Sequence, residues 1–107
     1  MNPQPKDIYM IQVTVGYSTY PRPCMIIEVM KNLVTVAPLS SAMDLYNLTT
    51  DFIIESTHPN FNATGLKRTS YISGQHFFDI PISDLSKNRR GYLSGELGKA
   101  FDEWIGC

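Results

Sequence analysis

Histidine and cysteine are scarce in this sequence, two of each among 107 residues. His58 and His76 stand far apart, with no HxH, HExxH or CxxC around them, so no metal-dependent catalytic centre is written in the spacing. Cys24 and Cys107 make neither a disulfide framework nor a metal site. Cys24 lies in an apolar run and is expected as a buried hydrophobe, and Cys107 as an exposed terminal thiol. There is no GxGxxG, no phosphate loop and no GxSxG elbow, which removes nucleotide-dependent and serine-hydrolase readings. No apolar run approaches the roughly 20 residues of a membrane span. Met1–Lys6 is polar and proline-broken, without a secretory pattern behind it. The expectation is one soluble, cytoplasmic domain over residues 1–107, without membrane contact.

An excess of positive charge is also missing. Nine Lys plus Arg stand against ten Asp plus Glu, a net charge of −1. A nucleic-acid binder is expected to be basic at least locally. Arg22, Lys67-Arg68 and Lys87-Asn-Arg-Arg90 carry six of the nine positive charges. Any such function therefore requires these segments to share a face.

The apolar pattern is that of short strands. Ile8–Val15 alternates as a first strand, and Gly16–Pro23 reads as a connection. Cys24–Met30 and Leu33–Leu39 form a hairpin across Lys31-Asn32. Ser40–Thr50 is a loop with one helical turn, Asp51–Glu55 a fourth strand and His58–Lys67 a loop. Ser70–Ile72 opens a fifth strand that continues toward Gln75–Phe78. Ile80–Leu85 reads as a connector with a turn from Ser83. Ser94 is placed as the N-cap of a last helix, whose stripe is Leu97, Ala100, Phe101, Trp104 and Ile105, with Gly106 as its stop. Five strands without long intervening helices predict a mainly β protein, a small antiparallel barrel carrying a C-terminal helix.

Two local features offer chemistry. Pro21 and Pro23 hold Tyr20 and Arg22 extended, so one guanidinium is aimed from a rigid segment. Ser40-Ser41 ends a strand with two hydroxyls.

Together these residues resemble the MazF/PemK family of bacterial toxins over nearly the whole chain. Lys6-Asp-Ile-Tyr-Met resembles the family's Gly-Asp-Ile-Tyr start, Arg22-Pro-Cys-Met-Ile-Ile its Arg-Pro-x-Leu-Val-Ile strand, and Val36-Ala-Pro-Leu-Ser40 its strand ending in Pro-Ile-Thr. Thr64-Gly-Leu-Lys-Arg-Thr-Ser-Tyr-Ile72 is similar to Gly-Leu-Lys-x-x-Ser-x-Val. Ile80–Leu85, the basic loop and Gly91-Tyr-Leu-Ser94 match the family's last third. The resemblance implies an SH3-like β-barrel with a C-terminal helix, a homodimer, and a cognate antitoxin partner. It also implies cleavage of single-stranded RNA by the RNA's own 2′-hydroxyl, without metal or other cofactor.

Residue by residue, Arg22 matches the catalytic arginine and Ser40 the catalytic threonine. Arg22 would stabilise phosphorane-like charge through forked donors rather than donate a proton. Ser41, Lys67, Arg68, Gln75, Arg89 and Arg90 are the expected RNA contacts. Two departures stand out. The first connection is short, and Ser73 and Gln75 occupy positions where some members carry an arginine and an acid. His76, adjacent, is the candidate general base. The alternative is a non-catalytic protein on the same scaffold, either a degenerate toxin or a gyrase poison similar to CcdB, which uses a C-terminal end near a tryptophan. Trp104 is expected instead to continue the core stripe.

Overall fold

The computed structural model describes residues 3–15, 18–85 and 89–106, with backbone alone for residues 13–15 and 18–20. The readings at Gly16-Tyr17, Lys87-Asn88 and Cys107 lie outside the described residues. Strand β1 (Asp7–Val15) runs antiparallel to β2 (Ser18–Val29), paired from Val15↔Ser18 to Ile8↔Met25. The expected connection over Gly16–Pro23 is therefore corrected, because β2 has begun by Ser18 and carries both prolines inside it. Two prolines two residues apart lose their N–H groups on the same edge of a strand. The ladder to β1 continues past both, through Gln12↔Pro21 and Met10↔Pro23, so the missing donors fall on the other edge. On that edge the pairing with β3 (Leu33–Ser40) starts only at Cys24↔Pro38. The prolines thus leave the sheet unzipped beside Arg22.

Beyond Pro38 strand β3 changes partners. Leu39 and Ser40 pair with β5 (Ser70–Ile72), which pairs in turn with β4 (Phe52–Ile54). Leu33–Val36 pair with β6 (Phe78–Pro81) on the same side. The fifth strand therefore does not run continuously to Phe78. Five residues, Ser73–Phe77, lie opposite only Ala37 and Pro38, so the strand bulges away from the sheet and resumes at Phe78. A strand proline lacks a ladder donor and is accommodated at such interruptions. A two-residue strand β7 (Gly91–Tyr92) closes against Asp7 and Ile8. It is too short to leave a period in the sequence, whereas the 3-10 turn Ile82–Asp84 that follows β6 falls at the turn expected from Ser83. The sheet order is β4-β5-β3-β2-β1-β7, a curled antiparallel half-barrel.

Both faces of its centre are covered, which explains the nearly unbroken apolar run in β2. One face joins Ile8, Met25, Ala37, Leu39, Phe52, Ile54 and Ile72 to Leu97 and Phe101 of helix α1 (Gly95–Ile105). Phe101 is 2% exposed, and burying a side chain of that size contributes about 2–3 kcal/mol. The other face holds Tyr9, Ile11, Cys24, Ile26, Val34 and Val36 beneath Ile80, Ile82 and Leu85. Cys24 is fully buried, and burial pushes its thiol up to about 12 against the smaller opposing pull of Arg22. Ser94 occupies the helix N-cap position, but its hydroxyl makes no capping bond. The side-chain carbonyl of Asn60 instead accepts the Leu97 N–H at 3.5 Å. Trp104 meets Phe52, Phe101 and Phe77 at centroid distances of 5.6, 5.8 and 6.2 Å, which seats it in the helix stripe. No helix among the described residues is long and apolar enough to cross a membrane.

Candidate active site

Arg22 projects where β2 and β3 part. Its Nε donates to the Leu39 carbonyl at 2.9 Å, fixing the guanidinium next to the residue that precedes Ser40. The Ser40 hydroxyl oxygen accepts the Ala42 N–H at 3.2 Å, so its own proton remains available as a donor. Around this pair lies a hollow of about 290 Å³ lined by Ser41, Lys67, Arg68, Ser70 and Arg90, together with Met10, Pro23, Leu39 and Leu66. Four cations and no carboxylate line it.

The loop positions of those cations are set by hydrogen bonds to neutral groups. The 3-10 turn Phe61–Thr64 ends in Gly65 at φ 72°, a left-handed conformation that favours glycine. The fully buried Thr64 hydroxyl donates to the Phe61 carbonyl at 2.6 Å and accepts the Leu66 N–H at 3.1 Å, turning the chain toward Lys67 and Arg68. Arg90 is held from two sides. Its N–H donates to the Ile8 carbonyl at 2.7 Å and its Nε to the Gly65 carbonyl at 3.0 Å.

A second hollow, about 510 Å³, adjoins the first and shares Arg22 and Ser40 with it. Its other walls are Pro38, Leu45, Tyr71 and the bulge residues Ser73, Gln75, His76 and Phe77, with Phe78 beyond. The bulge is pinned by Asp51, whose carboxylate accepts N–H groups from Asn47 at 2.9 Å and Gly74 at 3.2 Å and the Thr50 hydroxyl at 3.0 Å. Burial pushes the Asp51 carboxyl up, but these three bonds and the nearby His76 charge outweigh it and hold the group below the usual carboxylate range. A depressed folded-state value means this stabilisation is complete above the unfolded carboxyl range and is lost as pH falls through the folded value. Urea unfolding at pH 6 and pH 3 is expected to show a smaller acid-induced loss in Asp51→Asn than in the wild type. An equal loss in both would mean that Asp51 does not carry this pH dependence.

The two hollows bring together eight of the nine residues that the sequence singled out: Arg22, Ser40, Ser41, Lys67, Arg68 and Arg90 around the first, and Gln75 and His76 on the second. Arg89 lies elsewhere. It pairs with the buried Asp7 at 3.2 Å and stacks its guanidinium 4.5 Å from the Tyr92 ring centre, bracing the β1–β7 corner. Nothing in the sequence marks Tyr71, Phe77 and Phe78 as site residues, because aromatic residues in or beside short strands carry no signal that separates wall from core, and Leu45 lies in the 3-10 turn Met43–Leu45 with no mark of its own. Among the described residues no three His, Cys, Asp or Glu side chains gather as a metal-binding group.

A curled antiparallel half-barrel, one C-terminal helix and short 3-10 turns make up the MazF-like fold. Among solved structures, the Mycobacterium tuberculosis toxin MazF-mt6 is similar over 94% of this chain and 92% of its own, with a TM-score of 0.68 and 26% sequence identity. No protein-family model and no curated protein matches the sequence. The protein is MazF-like, as the sequence resemblance implied.

Proposed function

We propose that this protein is the toxin of a bacterial toxin–antitoxin module and cleaves single-stranded RNA. The observation that carries the reading is the seating of Arg22 and Ser40 at the junction of a cationic and an aromatic hollow. In this reaction the RNA 2′-oxygen attacks the adjacent phosphorus and gives its proton to His76. The P–O5′ bond breaks, and the departing 5′-oxygen keeps the electron pair and takes a proton from solvent. The products are a 2′,3′-cyclic phosphate and a 5′-hydroxyl. Arg22 and the Ser40 hydroxyl stabilise the charge that builds on the non-bridging oxygens, a task for preorganised donors. Lys67, Arg68, Arg90 and Ser41 bind the neighbouring backbone, while Arg89 serves the fold. The protein works as a cytoplasmic homodimer, and an acidic segment of its antitoxin competes for the cationic hollow.

Purified, antitoxin-free protein is expected to cleave single-stranded RNA with those two end groups. Replacing the attacking 2′-hydroxyl by 2′-O-methyl at the cleaved nucleotide stops the reaction. Absence of cleavage, or products with 5′-phosphate ends, would overturn the assignment. The non-catalytic alternative draws on the C-terminal Trp104, whose ring contacts with Phe52, Phe77 and Phe101 instead serve packing.

A further inference from the structure

We propose that Lys67 is a modification site, acylated by a small acyl phosphate that docks in the cationic hollow, and that this acylation weakens RNA binding. The acylation rests on the hollow alone, whereas its effect on RNA rests on the ribonuclease reading above.

The four cations of the first hollow are not alike. Arg22, Arg68 and Arg90 present guanidinium groups, which stay charged and fork onto phosphate oxygens but are not nucleophiles. Lys67 is the single amine among the lining residues. In its neutral form an amine attacks an activated carbonyl. The hollow therefore combines a three-arginine anion site with one acylatable nitrogen.

No acid among the lining residues draws those charges away. The two ion pairs among the described residues, Lys6–Asp102 and Arg89–Asp7, both lie outside the hollow. Arg22 and Arg90 are fixed by Nε bonds to the Leu39 and Gly65 carbonyls, so a docked anion meets guanidinium groups already in place. Met10, Pro23 and Leu66 add an apolar wall, and Lys67 itself is exposed. An acyl phosphate matches all three parts. It brings an oxyanion to the arginines, a short acyl chain to the wall and an activated carbonyl to the amine. Lys31, in the β2–β3 hairpin, and Lys99, on helix α1, are equally exposed but do not line this hollow.

In the transfer, the Lys67 nitrogen bonds to the acyl carbon and the bond from that carbon to the phosphate oxygen breaks. The phosphate leaves with the electron pair, its charge stabilised by the arginines, and the nitrogen releases one proton to solvent. The product is a neutral amide, and the hollow keeps three positive charges.

The test treats the purified protein with acetyl phosphate and, in parallel, with N-hydroxysuccinimidyl acetate, which carries no phosphate. Peptide mass spectrometry follows each lysine with time. Acetyl phosphate is expected to modify Lys67 at least about tenfold faster than Lys31 or Lys99, the gain of a cleft of one charge sign. Added inorganic phosphate is expected to remove that lead, and the succinimidyl ester to show none. Binding is then read by anisotropy with uncleavable 2′-O-methyl RNA. Acetylated protein is expected to bind about fivefold more weakly at about 0.1 M salt, with the salt slope reduced by about 0.7. In Lys67→Arg, acetyl phosphate is expected to leave that variant's own RNA affinity unchanged.

Equal rates at the three lysines, the same lead with both reagents, a lead that survives inorganic phosphate, or acetyl on Ser40 or Ser41 instead would overturn the site. Selective acetylation with unchanged RNA affinity, or an equal loss in Lys67→Arg, would overturn its effect on RNA. If unmodified protein neither binds nor cleaves RNA while Lys67 still leads, the ribonuclease reading falls and the acylation site stands.

Discussion

Arg22→Ala is expected to lower single-turnover RNA cleavage by at least 100-fold while leaving the fold in place. Removing one preorganised donor to a developing oxyanion typically costs a factor of 10² to 10³, about 2.7–4 kcal/mol of barrier. Arg22 belongs at the upper end because it offers charge and two-pronged geometry together. Among the described residues its side chain makes one structural bond, the Nε contact to the Leu39 carbonyl at 2.9 Å, worth about 1 kcal/mol. Arg22→Lys is expected to recover little, because an ammonium cannot both hold the Leu39 carbonyl and fork onto a phosphate. The pair of measurements is a cleavage time course under enzyme excess and a urea unfolding curve. A rate within threefold of wild type would remove Arg22 from the chemistry. A lost rate accompanied by a collapsed urea midpoint would make it structural.

The second large effect is on stability. A methyl group at Gly91 would lie 2.1 Å from the Thr64 carbonyl oxygen and 2.2 Å from its carbon, both backbone atoms. Gly91 is paired with Ile8 on one side, and Thr64 is fully buried with its hydroxyl bonded to Phe61. Neither partner has a side-chain rotation that would clear the overlap. Gly91→Ala is therefore expected to cost about 3 kcal/mol or more, at or beyond the usual range for overpacking. In a domain of this size that lowers the thermal midpoint by roughly 12–24 °C. Because Thr64 leads into Lys67-Arg68 and Arg90 precedes Gly91, backbone retreat there also moves three of the four cations of the first hollow. RNA affinity is expected to fall at temperatures where the variant remains folded. A loss below about 1 kcal/mol by urea titration would mean that the 64–68 segment yields easily.

Much of the scaffold is legible in the sequence because its signals are local. The helix stripe of Leu97, Phe101 and Trp104 (its expected members Ala100 and Ile105 are exposed), the Lys31-Asn32 hairpin and the alternating β1 all record a period in a few consecutive residues. The Gly16–Pro23 region reads as a connection rather than a strand for a physical reason. Proline removes a donor, and one sequence cannot say which edge of a strand loses it. Only pairing with β1 shows that Pro21 and Pro23 spare that ladder and open the other edge. Likewise Ser73–Phe77 looks like a continuing strand, because a bulge is defined by its partner, here the two residues Ala37 and Pro38.

The candidate site divides along the same line. By itself the sequence determined the mainly β class, the terminal helix, the aimed Arg22 and the clustering of positive charge into a few short segments. It also left a net charge of −1 standing against a nucleic-acid partner. The tertiary structure decided that Arg22, Lys67, Arg68 and Arg90 meet in one acid-free hollow, while Arg89 turns away to Asp7. Net charge sums over a whole surface, whereas a phosphate senses the few charges within a screening length of about 8–10 Å. Which charges share that distance depends on strand pairing between residues far apart in the chain, such as Ile8 with Gly91 and Ser40 with Tyr71.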